Sequence, residues 1–181
     1  MFAVRFHGRG GQGVVTAAEL LAAAAFREDR YAQAFPSFGS ERMGAPVMSF
    51  CRIDDKPIRT REPVTEPDAL LIQDPTLLHQ ADLFDGLTAD GYVLVNSAKG
   101  AVAPDQPRYR AIPASRLAIA HLGRPLPGAP MLGGLAALTG VVSLDAVVAA
   151  LNERFTGKVA AGNVAAAIAA YELIAEVSTN A

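Results

Sequence analysis

Gly8-Arg9-Gly10-Gly11-Gln12-Gly13 is the stretch on which the fold of this chain turns. It stands between a short apolar strand, Phe2-Ala3-Val4-Arg5-Phe6-His7, and a helical run that opens Val14-Val15-Thr16-Ala17-Ala18-Glu19-Leu20-Leu21. Glycine at such a junction lets the backbone approach a ligand, and the first amides of the following helix favour a negative group. The spacing also fits G-x-G-x-x-G, the dinucleotide fingerprint. One part of that fingerprint is missing. A nicotinamide dinucleotide site wants an acid about 20 residues on, at the end of the second strand. Here Tyr31-Ala32-Gln33-Ala34-Phe35 runs into Pro36 instead, and Glu28 and Asp29 come too early. Three readings therefore stand: an anion cradle of backbone amides and Arg9, an NAD site, and a tight turn whose glycines serve packing alone.

Outward from this loop, strand signals alternate with helical ones. The pattern predicts an α/β fold: a single-domain open Rossmann-like sheet, mostly parallel with an antiparallel hairpin, flanked by helices. Val47 to Ile53 and Pro57 to Arg61 read as that hairpin, joined by Asp54-Asp55-Lys56. Ala69 to Asp74 and Tyr92 to Asn96 read as buried strands, and Tyr109 to Pro113 as a weaker one. Helices are expected over Thr76–Leu83, Ser115–Leu122, Met131–Thr139, Ser143–Phe155 with Ser143 as N-cap, and Asn163–Val177.

At 181 residues the chain fits one domain, residues 1–181, able to bury roughly 70% of its unfolded surface. Apolar residues make up 51% and charged residues 19%, which excludes a disordered chain. The net charge of -2, with no basic stripe, argues against nucleic acid. Cys51 is the one cysteine, so no internal disulfide forms and no iron–sulfur cluster finds its thiolates here. It falls in a strand and reads as a packing residue. Arg5, His7 and Arg9 interrupt any leader-like run, and the apolar helices fall short of a membrane span. The expectation is a cytoplasmic chain without membrane contact. Its alanine-rich helices and positive mean hydropathy (+0.23) suggest a surface for a protein partner.

Ligands of open parallel sheets gather at the carboxyl ends of strands. Four candidates lie there: the glycine loop, the Ser37–Arg42 loop, Asp74, and Asn96-Ser97. Arg42 beside Ser40 and glycine amides suits a phosphate or carboxylate, while pairing of Arg42 with Glu41 or a surface acid is the alternative. Asp74, before Pro75, reads as a helix cap. His7 reads as a hydrogen-bonded strand-end histidine, and His7, His79 and His121 have no metal-ligand spacing. No nucleophile elbow or H-E-x-x-H appears, which favours a binding or assembly role over a self-sufficient catalytic centre.

Four stretches in order carry a resemblance to a known family. They are Arg5-Phe6-His7-Gly8-Arg9-Gly10-Gly11-Gln12-Gly13, Gln33-Ala34-Phe35-Pro36-Ser37-Phe38-Gly39-Ser40-Glu41-Arg42-Met43-Gly44-Ala45-Pro46, Asp74-Pro75-Thr76-Leu77-Leu78 and Ala129-Pro130-Met131-Leu132-Gly133. With them the chain resembles the gamma subunits of 2-oxoacid:acceptor oxidoreductases, the pyruvate:ferredoxin oxidoreductase (pyruvate synthase) family.

The resemblance implies a subunit that is inactive alone. The complex would decarboxylate a 2-oxoacid oxidatively, pyruvate by default, to acyl-CoA and CO2. Thiamine diphosphate with its magnesium, and the [4Fe-4S] clusters, would sit on alpha, beta and delta-type partner subunits, with ferredoxin or NAD as acceptor. The gamma chain would help to bind coenzyme A. Gly8, Gly10, Gly11 and Gly13 would offer amides, Arg9 and Arg42 counter-charges, and Gln12 and Ser40 hydrogen bonds. The competing functions are a purely structural assembly subunit and a Rossmann-type NAD-binding protein.

Overall fold

The computed structural model describes residues 1–37, 42–99 and 108–179. Among them are the strands β1 (Phe2–Arg9), β2 (Tyr31–Pro36), β3 (Pro46–Asp54), β4 (Ala69–Ile72), β5 (Tyr92–Asn96) and β6 (Tyr109–Ile112). The helices are α1 (Val14–Arg27), α2 (Ala114–Leu122), α3 (Gly128–Thr139), α4 (Leu144–Arg154) and α5 (Gly157–Thr179). The described strands form one sheet in the order β2-β3-β1-β4-β5-β6. β1, β4, β5 and β6 are mutually parallel, and β3 runs against both of its neighbours, β1 and β2. The expected open, mostly parallel sheet is therefore present.

The antiparallel pairing has other partners than the sequence suggests. β3 extends to Asp54, but residues 57–61 form no strand, and both edges of β3 are already taken by β1 and β2. The Asp54 carboxylate accepts from the Asp55 amide at 2.7 Å, turning the chain. Pro57 then brings no amide hydrogen to a ladder. The expected helix over 76–83 shrinks to a single 3₁₀ turn, Pro75–His79. α3 and α5 begin earlier than expected, at Gly128 and Gly157.

Strand alternation separates two unlike faces. Val4, Phe6, Cys51, Ile53, Leu71, Leu94 and Ile112 point to one face, where they join the apolar side chains of the helices in a single core. Burying each large member contributes about 1.5–3 kcal/mol. α1 lies close against β1 and β3 because its buried stripe is largely alanine. α3 and α5 also pack backbone to backbone. A Cβ on Gly133 would overlap the Ala167 carbonyl oxygen. α5 is long and apolar enough by composition to cross a membrane, yet Ala160, Gly162, Ala166, Ala167 and Ala170 are buried within the fold.

The second face carries no α-helix among the described residues, only the 3₁₀ turn through Leu77, and is partly polar. Arg5, His7 and Arg52 are buried there, Arg5 and His7 on β1 next to the β4 residues Leu70 and Ile72, and Arg52 on β3 against the Phe35 ring. Irregular chain covers them. Arg5 fastens that cover: its guanidinium donates to the carbonyls of Leu83 and Asp85, each at 2.9 Å. Its Nε donates to Nε2 of His7, also at 2.9 Å. A guanidinium only donates, so His7 is neutral, with its proton on Nδ1. Burial first, then the Arg5 charge, push the His7 pKa down to about 4, against an opposing pull from Asp82. The strand-end histidine is indeed a hydrogen-bonded one.

Candidate functional site

The common direction of β1, β2, β4, β5 and β6 brings their carboxyl ends to one edge. The glycine loop, the Arg42–Ala45 segment, Asp74 and Asn96 meet there, as does the start of α2. Ser40 lies outside the described residues.

The glycines divide by role. Gly8 is within β1, and a Cβ there would come 2.5 Å from Cγ2 of Val14, so its bareness lets α1 close on the strand. A Cβ on Gly10 would overlap the Arg42 carbonyl oxygen. The Gly10 amide donates to the Ala45 carbonyl at 2.8 Å, and its own carbonyl accepts from Gly44 at 3.1 Å. Gly11 (φ 91°) and Gly13 (φ 72°) adopt the left-handed conformations that glycine tolerates, and Gly13 caps α1. Ala17 makes the bond to the Gly13 carbonyl, so the amides of residues 14–16 have no intrahelical acceptor.

Arg9 and Gln12 are committed within the protein. The Gln12 carboxamide oxygen accepts from the Arg9 amide and its nitrogen donates to Asp74 Oδ2, both at 2.8 Å. The Gln12 carbonyl accepts from the Gln73 side chain at 3.0 Å. The Arg9 guanidinium donates to the Gly44 carbonyl at 3.1 Å and to Thr76 Oγ1 at 2.9 Å, with Asp74 Oδ2 3.5 Å away. Asp74 caps the 3₁₀ turn through the Thr76 amide, as its place before Pro75 suggests. Burial raises the pKa of its carboxyl. That push is outweighed by the hydrogen bonds from Thr76 and Gln12 and by the Arg9 charge, leaving it below the usual carboxylate range.

Arg42 differs. Its side chain is exposed and has no ion pair among the described residues, so the pairing with a surface acid is not seen there. Asn96 is buried at the end of β5. It donates to the Gln73 carbonyl and to Ser115 Oγ, each at 2.8 Å, and accepts from the Ser115 amide at 3.1 Å. It thereby fixes the first turn of α2 to the sheet.

Beyond Asn96 opens a cavity of about 800 Å3 at the ends of β4, β5 and β6. Thr76, Phe84, Lys99, Tyr109 and Arg116 are among its walls. Except for Thr76, these residues belong to none of the motifs quoted above. The available signal was Arg116 in the first turn of a helix that directly follows a strand.

The edge also bears on NAD. In a dinucleotide fold the second strand lies beside the first, so that its terminal acid reaches the ribose. Here β3 lies between β1 and β2, and β2 ends in Phe35-Pro36.

Comparisons with known proteins agree with this architecture. Residues 3–173 match the family model for pyruvate ferredoxin/flavodoxin oxidoreductase. Pyruvate synthase subunit PorC of Methanothermobacter marburgensis is 49% identical over 172 residues, covering 95% of this chain and 97% of that one. The common gamma subunit of the pyruvate/ketoisovalerate oxidoreductases of Pyrococcus abyssi is 43% identical, covering 95% and 96%. The solved structure of the pyruvate oxidoreductase subunit PORC of Thermotoga maritima superposes with a TM-score of 0.80 at 35% identity, covering 94% and 95%. Near-complete overlap in sequence and in fold leads to one assignment: the chain belongs to the pyruvate ferredoxin/flavodoxin oxidoreductase family, as a gamma-type subunit of a 2-oxoacid oxidoreductase complex.

Proposed function

We propose that this gamma-type subunit engages coenzyme A in a thiamine-dependent complex that oxidatively decarboxylates a 2-oxoacid, pyruvate by default, to acyl-CoA and CO2. The carrying observation is the open rim of the glycine loop. Gly13, with open space beside it, and the amides that begin α1, which lack intrahelical acceptors, lie near an exposed arginine, Arg42, which has no acid against it among the described residues. Amides at a helix start together with a guanidinium suit a phosphate. Arg9 and Gln12 act at one remove, holding the loop against Asp74 and Gly44. Gly8 and Gly10 permit the close backbone approaches that shape the loop.

Thiamine diphosphate, with magnesium, supplies the electron sink for decarboxylation when bound, and the [4Fe-4S] clusters carry electrons to ferredoxin or NAD. This chain leaves both to the alpha, beta and delta-type subunits. Cys51 is wholly buried beneath α1, and burial holds its thiol far above the usual range, so it makes no cluster ligand. Choice of the oxoacid also belongs to the partners: the Pyrococcus abyssi relative is a gamma subunit common to pyruvate and ketoisovalerate oxidoreductases. The expected setting is the cytoplasm.

Assembly alone is the second reading. It is favoured by Met43, 87% exposed directly over the glycine loop, where a partner subunit would cover it. Arg42→Ala in the assembled complex separates the two. Coenzyme A binding predicts a several-fold rise in KM for coenzyme A with the oxoacid KM unchanged. An unaltered coenzyme A dependence overturns it.

A further inference from the structure

We infer that a second cavity, on the face of the sheet that carries Arg5 and His7, binds a small aliphatic α-amino acid, its carboxylate against those two residues and its ammonium toward Asp82 and Asp85. The cavity lies over the face of β1 rather than at the edge where the strand ends meet. Its assignment is independent of any reading of the glycine loop.

The buried end of the cavity holds an unpaired charge. Arg5 is 7% exposed, yet no carboxylate forms an ion pair with it among the described residues. A buried charge is costly unless it is paired. The bonds of Arg5 to the Leu83 and Asp85 carbonyls use Nη2, and the bond to His7 uses Nε. Nη1 is left without a partner among the described residues. His7 is 5% exposed, and its one hydrogen bond there is at Nε2, so its Nδ1–H is also unpartnered. Both residues line a cavity of about 320 Å3, and neither nitrogen is sealed away from that space. Two N–H donors, one of them on a cation, thus meet open space that a carboxylate would fill with charge-assisted bonds.

The mouth carries the opposite sign. Asp82 and Asp85 line the same cavity, are exposed, and form no ion pair among the described residues. Two carboxylates at the entrance repel a simple anion and favour one that brings its own cation. An α-amino acid carries both groups on a single carbon. Val47, Met48, Leu77 and Leu83 supply apolar walls for its side chain, and the flexible thioether of Met48 can adapt to the shape of that chain. The volume lies at the lower end of the range for ligand sites, about 300–1,000 Å3, which suits a small molecule. A 2-oxoacid of the same carbon skeleton lacks the ammonium and leaves both aspartates facing its carboxylate uncompensated. The site therefore distinguishes an amino acid from the corresponding oxoacid.

The test is a calorimetric titration of the full-length subunit, and then of the assembled complex, with L-leucine. The expected result is saturable binding to both. Replacing the two acids together, Asp82→Asn with Asp85→Asn, should weaken it by at least about tenfold. Met48→Trp, which fills the cavity from its exposed side, should do the same. On the free subunit 4-methyl-2-oxopentanoate, the oxoacid of the same skeleton, should bind at least about tenfold more weakly than leucine. All three substituted residues are exposed, so the variants should retain the circular dichroism spectrum of the wild type. No saturable leucine binding, unchanged affinity in the variants, or equal affinity for the oxoacid overturns the proposal. Binding that disappears on assembly overturns it as well, because a partner subunit then occupies the cavity.

Discussion

Gly10 and Arg42 meet backbone to backbone, with no room for a Cβ on the glycine beside the arginine's carbonyl oxygen. The glycine loop is thus partly filled by its own protein. Gly10→Ala should push the Arg42–Ala45 segment off the loop and cost about 2 kcal/mol or more. Gly13→Ala meets open space and carries only the left-handed backbone penalty, about 1–2 kcal/mol. Urea unfolding of the two variants should rank them in that order.

His7 predicts a stability change in mild acid. Its folded pKa, about 4, lies below the unfolded value, so the unfolded chain binds the extra proton first. Stability should be complete above about pH 6.5 and decline toward pH 4, by up to about 3 kcal/mol. His7→Gln keeps an acceptor for Arg5 and removes the titration. Unfolding free energies between pH 4.5 and 7.5 should therefore slope in the wild type and be flatter in the variant.

Asp74 acts in a lower window. Its depressed pKa means that the charged form stabilises the fold above the ordinary carboxylate range and that this contribution disappears as pH falls through the folded value. Asp74→Asn loses the acceptor for Gln12 and the partner of Arg9, costing about 1 kcal/mol at neutral pH. The same variant should show a weaker decline below about pH 4 in acid titrations followed by circular dichroism.

Two adjacent glycines of α3 should respond very differently. A Cβ on Gly133 strikes the backbone of α5 at Ala167, so Gly133→Ala should cost about 3 kcal/mol. On Gly134 it would meet only the methyl ends of Ile112 and Leu94, each at 3.0 Å, which can shift. The gain of about 1 kcal/mol in helix propensity then offsets much of the crowding. Thermal unfolding of the pair measures the contrast.

Local chemistry was legible in the sequence where one segment settles its own shape. β4 and β5 are short apolar runs bounded by turn residues, and Ser143 caps α4 by accepting from Ala146. Asp74 caps its turn in the same local way. What depends on distant segments was not legible. Asp54-Asp55-Lys56 resembles a hairpin turn, yet β3 finds its partners in β1 and β2, and only the assembled sheet shows that its edges are full. Likewise Arg9 looks available for a ligand until Asp74 and Thr76, more than sixty residues on, are brought beside it. Lys99 and Arg116 share a cavity because β5 and β6 are neighbours, which no spacing rule encodes.

The central place of β1 has a consequence for synthesis on the ribosome. This strand is made before both of its neighbours in the sheet, residues 46–54 and 69–72, so it must wait for them. β5 and β6 then add outward in the order they are made. The face carrying Phe6, Leu71 and Leu94 is closed only when α3 and α5 arrive from the last third of the chain. Until then a nascent chain displays a long apolar sheet face, the kind of surface that chaperones bind and that aggregates when unattended. Truncations that remove α5 should therefore yield insoluble protein rather than a smaller folded unit.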